Sequence, residues 1–138
     1  MEEYDFSKYL KEVTSEYTGE YNEIIKHTAS VYDCLVLLLD DPDIDQSRRN
    51  KIFAVIGYFI IPQDLYPESI HGPKGFIDDV LLALSILKDT ADNYGNELVL
   101  NYWSTDESDF LYLIREAYPT LLVDFEELFS ELMEYMGF

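Results

Sequence analysis

Apolar residues along this chain recur at steps of three and four, so nearly every long segment reads as helix. Tyr4 to Val13 predicts a short first helix. From about Glu20 to Leu39, Ile24, Thr28, Val31, Leu35 and Leu38 form one row. Ile25, Ala29, Tyr32, Val36 and Leu39 form the row beside it, giving a wide core-facing surface. The run Asp40-Asp41-Pro42-Asp43-Ile44-Asp45 breaks that helix, and Ser47 can cap the next, Arg48 to about Ile61. This third helix is apolar nearly all round, through Ile52, Phe53, Val55, Ile56, Tyr58, Phe59 and Ile60, which predicts the central buried helix. Pro62 ends it.

After a loop holding Pro67, Gly72, Pro73 and Gly75, a fourth helix starts near Phe76. Its stripe of Ile77, Val80, Leu84, Leu87, Ala91, Tyr94 and Leu98 keeps helical step without a miss. Ser104-Thr105-Asp106-Glu107 has the capping-box pattern, with Ser104 and Glu107 reciprocating, and opens a fifth helix reaching Ala117. Pro119 marks a break, and a sixth helix carries Leu121, Phe125, Leu128, Leu132 and Met136 on one face, with Gly137 as its stop. The expected fold class is all-α, a compact bundle of five or six helices around a central apolar helical hairpin. With no repeat, low-complexity stretch or long linker, residues 1–138 read as a single helical domain.

Composition agrees and adds a charge. Hydrophobic residues make up 48% of the 138, too many for a disordered chain. The formal net charge is -19, and its placement is uneven: -9 over residues 1–47, -1 over 48–95 and -9 over 96–138. The picture is a nearly neutral apolar hairpin between acidic flanking helices. Such a chain lacks the basic footprint that nucleic-acid binding needs, and anionic membrane surfaces repel it. The longest apolar runs, Ile52 to Ile61 and Val80 to Leu87, fall short of the roughly 20 residues that span a bilayer. Met1 to Lys11 is acidic without an apolar run, so the expectation is no secretory leader and a cytoplasmic location. The single cysteine, Cys34, sits in an apolar stretch and reads as a small buried hydrophobe.

One pattern stands out. Pro62-Gln63-Asp64-Leu65-Tyr66-Pro67-Glu68, followed by Gly75-Phe76-Ile77-Asp78-Asp79, joins two apolar helices through a loop set by prolines and glycines. Here the sequence resembles the YkvA-like family of small helical domains of unknown function. That family's signature is an apolar helix, Pro-x-Asp-Leu-x-Pro-acid, a glycine-containing turn, and an Asp-Asp pair opening a second apolar helix. Pro62, Asp64, Leu65, Pro67, Glu68, Gly75, Asp78 and Asp79 fit it one by one, over roughly residues 50 to 90. Tyr66 departs from the family's usual aliphatic residue, Glu68 from its usual Asp, and the connector from Ser69 to Lys74 also differs. The resemblance implies a helical hairpin within a core of residues 48–95 and no established chemistry.

The carboxylates admit two readings. In the local one, Asp64 caps the turn at Leu65, while Asp78 and Asp79 in the first turn of their helix meet the positive end of its dipole. In the other, the helix–loop–helix corner gathers Asp64, Glu68, Asp78 and Asp79 around a hard divalent cation such as Mg²⁺ or Ca²⁺, and His71 adds a nitrogen for a softer metal. Against a cation stand the ~100° between Asp78 and Asp79 on a helix and the unfavourable field of a first turn. The local reading is preferred, with no cofactor expected.

Asp41, Asp43 and Asp45 resemble the opening of a calcium loop, but Gln46 stands where Gly is needed and Ile52 where the bidentate Glu is needed, so they read as a solvated turn with helix-start charges. His27 and Cys34 lack a third residue to orient them as a catalytic pair. No Gly-rich phosphate loop, Gly-x-Ser-x-Gly, His-Glu-x-x-His or Cys-x-x-Cys occurs. The aromatic-rich tail around Trp103 reads first as core.

The functional expectation is therefore a non-enzymatic interaction protein engaging a basic protein partner, as an inhibitor, antitoxin or immunity protein does. Glu126, Glu127 and Glu131 on the last helix are the candidate partner surface. The alternative is a carboxylate-based metal-binding protein or metal-dependent enzyme built on the Asp64 to Asp79 corner. Acidity suited to a salt-rich cytoplasm is a third reading.

Overall fold

A computed structural model describes residues 6–15, 17–60 and 76–138. Its helices are α1 (Phe6–Ser15), α2 (Asn22–Ile25), α3 (Thr28–Leu38), α4 (Gln46–Ile60), α5 (Ile77–Tyr94), α6 (Asn96–Leu100), α7 (Glu107–Tyr112), α8 (Tyr118–Asp124) and α9 (Glu126–Met136). A π-helical turn, Leu113–Ala117, joins α7 to α8. Among the described residues there is no strand, and the fold is all-α as the periodicity predicts.

α5 is the hub. It packs against α3, α4, α6, the π turn, α8 and α9. From Ile77 to Leu84 every residue is buried, and Ile86, Leu87, Thr90 and Ala91 follow. This corrects the expectation that the third helix, α4, is the central one. α4 buries Ile52, Val55, Tyr58 and Phe59, but leaves Phe53 56% and Ile60 53% exposed. The reason lies in the neighbours. α4 packs chiefly on α3 and α5, with Tyr135 of α9 reaching Tyr58, whereas α5 packs on helices from both sides of it in sequence, so its few polar residues are carried inside with the apolar ones. Thr90 manages this by donating its hydroxyl to the Ile86 carbonyl at 2.7 Å.

Around the hub the aromatic rings link helices. Phe6 of α1 lies edge-on to Tyr32 of α3, with centroids 5.1 Å apart, and Tyr32 in turn meets Phe59 of α4 at 5.3 Å. Trp103 packs on Phe110 at 5.8 Å and Tyr118 on Phe129 at 6.4 Å; Trp103, Phe110 and Tyr118 are buried in the core as expected, Phe129 packs against it partly buried, and Tyr135 is exposed.

Several boundaries differ from the sequence pattern, each for a local reason. The expected Glu20 to Leu39 helix is split at Lys26 and His27. Thr28 donates its hydroxyl to the Ile25 carbonyl at 2.6 Å, and His27 sits at φ -93°, ψ 4°. The apolar rows survive the kink, since Ile24, Ile25, Val31, Leu35 and Leu38 are all buried. The unbroken stripe to Leu98 is interrupted by Gly95 at φ 94°, a backbone conformation that glycine takes without Cβ strain. At the start of α7, Asp106 rather than Ser104 is the N-cap, and no side-chain capping bond forms.

Pro119 does not break its helix. The break falls at Phe125 (φ -125°, ψ 39°), between α8 and α9. An α-helical proline loses a hydrogen bond and crowds the carbonyl four residues back. The π turn just before it widens the helix, and Tyr118 N–H donates to Leu113 O, five residues back.

Gly57 lies inside α4, and a Cβ built there meets nothing within 4 Å. Gly57→Ala should therefore stabilise the fold by about 0.5–1 kcal/mol. A urea titration in which the variant unfolds earlier than the parent would contradict this placement of the α4 outer face.

Candidate functional site

Of the motif residues, Pro62, Asp64, Leu65, Pro67, Glu68, His71 and Gly75 lie outside the described residues. Asp78 and Asp79 are described, and both are fully buried at the start of α5. Sequence reasoning placed them in the first turn, which holds. It did not foresee their complete removal from water.

A buried carboxylate is costly unless it accepts hydrogen bonds. Asp78 accepts on both oxygens: the Tyr58 hydroxyl donates to Oδ2 at 2.8 Å, and the Asp79 N–H donates to Oδ1 at 2.9 Å. Tyr58 comes from α4, so this contact fastens the two arms of the central hairpin at the end where the motif joins them. The positive end of the α5 dipole opposes the repulsion between the two neighbouring carboxylates. On its outer side Tyr58 meets the ring of Tyr135 of α9, 6.0 Å away and 61% exposed.

Among the described residues no group of three or more His, Cys, Asp or Glu side chains is arranged to hold a metal ion. Nor is any described helix long and apolar enough to cross a membrane.

The second candidate surface is α9. Glu126, Glu127 and Glu131 are exposed, together with Glu134. Ion pairs among the described residues join Lys26 to Glu23, Arg48 to Asp45 and Asp89, and Lys88 to Asp92, and none involves a carboxylate of α9. At the α8–α9 break an open notch is lined by Val123, Asp124, Phe125, Glu126, Glu127 and Leu128. Val123 is 77% exposed beside these acids. The notch is anchored from the other end of the chain. Tyr21 donates its hydroxyl to Asp124 Oδ2 at 2.8 Å and packs its ring 5.3 Å from that of Phe125.

At the Asp41 to Asp45 turn Asp43 is exposed and Asp45 is a helix-start charge, as expected, but Asp41 corrects the expectation of a solvated turn. Asp41 is buried; its Oδ1 accepts the Asp43 N–H at 2.8 Å and its Oδ2 the Tyr102 hydroxyl at 2.7 Å. Asp45, rather than Ser47, caps α4 by accepting the Arg48 N–H at 3.1 Å. Asp45 also accepts the Tyr94 hydroxyl at 2.6 Å and Arg48 Nη1 at 2.9 Å. Arg48 Nε reaches Asp89 of α5 at 2.7 Å, and Arg49 Nη2 donates to the carbonyls of Asp41 and Ile44. The turn is a polar clasp between the α3–α4 connection and the far end of α5. The signal lay in Tyr94 and Tyr102, whose hydroxyls need partners once their rings pack.

Titration follows from these contacts. The Tyr94 hydroxyl and then Arg48 hold the Asp45 carboxyl well below the usual carboxylate range. Burial pushes the Cys34 thiol up to about 12, which keeps it protonated and unreactive. Burial also lowers His27 below the ordinary histidine value.

Two outcomes follow. Tyr58→Phe removes the donor to a buried carboxylate and should cost about 1–3 kcal/mol in chemical denaturation; an unchanged midpoint would mean that Asp78 does not depend on Tyr58. Asp45 titrates lower folded than unfolded, so its contribution is present above about pH 4 and fades as the pH falls below it. The stability gap between the parent and Asp45→Asn should accordingly narrow on acidification from neutral pH to about pH 3. A gap independent of pH would count against the clasp.

Comparison with known proteins places the hairpin. The chain is 33% identical over 94 residues to an uncharacterized protein, ORF9, of Methanothermobacter thermautotrophicus, covering 68% of this chain and 64% of that protein. The chain thus spans less than two thirds of that relative's length. No solved structure matches it. Residues 49–84, the segment holding Tyr58, the Pro62 to Glu68 motif and the buried Asp78–Asp79 pair, match the family described as a protein of unknown function, DUF1232, in keeping with the YkvA-like resemblance.

Proposed function

We propose that this chain is a small acidic interaction protein that engages a basic protein through α8 and α9. The observation that carries the reading is the exposed row of Glu126, Glu127, Glu131 and Glu134, which no ion pair among the described residues neutralises, with the exposed Val123 at the α8–α9 notch. Exposed ion pairs contribute only about 0–1 kcal/mol each, so the row would act mainly by speeding encounter and selecting partners of opposite sign. Val123 and the rim of Tyr135 would supply the apolar contact that such a row lacks. A protein of net charge -19 gives that steering a long reach at low salt.

The alternative, a cation site using Asp64, Glu68, His71 and Asp78, draws no support from the described part of that corner. Of those four residues only Asp78 is described, and it already accepts on both oxygens.

The test is affinity capture from a native lysate with washes at low and high salt, run in parallel with a Glu126→Gln, Glu127→Gln, Glu131→Gln variant. The expected result is a basic protein retained at low salt, shed at high salt, and lost or much weakened with the variant. Retention of the same protein by parent and variant alike, with the same salt response, would rule out the α9 surface.

A further inference from the structure

We draw no further inference here: the strongest candidate, the outer face of α4 where Phe53 and Ile60 stand half exposed on either side of Gly57, carries nothing because nothing in the structure shows what covers it.

Discussion

The structure depends on enclosing α5 on all sides. Twelve of its eighteen residues are buried, and they are approached from helices on both sides of it in sequence. That enclosure sets what every other element must do. α4 lies along it as the other arm of the hairpin, α3 and α6 close its flanks, and α8 and α9 pack over it from the C-terminal part. It also takes Asp78 and Asp79 out of water, which an apolar core tolerates only with donors at hand. Tyr58 and the Asp79 N–H are such donors to Asp78, and the start of a helix is the electrostatically favourable place for the pair.

Apart from the buried Asp41, Asp78 and Asp79, the charges of the described residues are arranged around that core rather than within it. α4 carries two arginines and a lysine and no acid, while α9 carries four glutamates and no base. The arginines of α4 are spent internally, on Asp45, Asp89 and the carbonyls of the α3–α4 turn. The carboxylates of α9 face water. A chain of net charge -19 repels itself, and the polar clasp at Asp41 and Asp45 and the hub at α5 hold the helices together against that repulsion.

Much of this was legible in the sequence. The three-and-four step identifies the helices, the row from Ile24 to Leu38 is buried as drawn while the row beside it turns outward at Tyr32, Val36 and Leu39, and α4 and α5 pack as the hairpin the motif implies. What the pattern could not rank was centrality. From Ile52 to Ile60 α4 reads as apolar nearly all round, because Phe53 and Ile60 count toward that pattern whether or not anything packs on them. α5 reads as amphipathic because Asp78, Asp79 and Thr90 look solvated until their partners are known. The same limit hid the clasp: Tyr94 and Tyr102 are in register with core positions, and only the fold shows their hydroxyls meeting Asp45 and Asp41. Pro119 misled for a related reason, since a π turn is not visible in residue type alone.

Native-state hydrogen exchange tests the central role of α5 most directly, because it ranks helices by the free energy needed to open them. The account predicts that the backbone amides from Val80 to Ala91 exchange last, by global unfolding, with those of α4 and α3 next and those of α1 and α9 earlier. If the α4 amides outlast those of α5, or if α5 exchanges as early as α9, then α5 is not the element on which the rest of the fold is built.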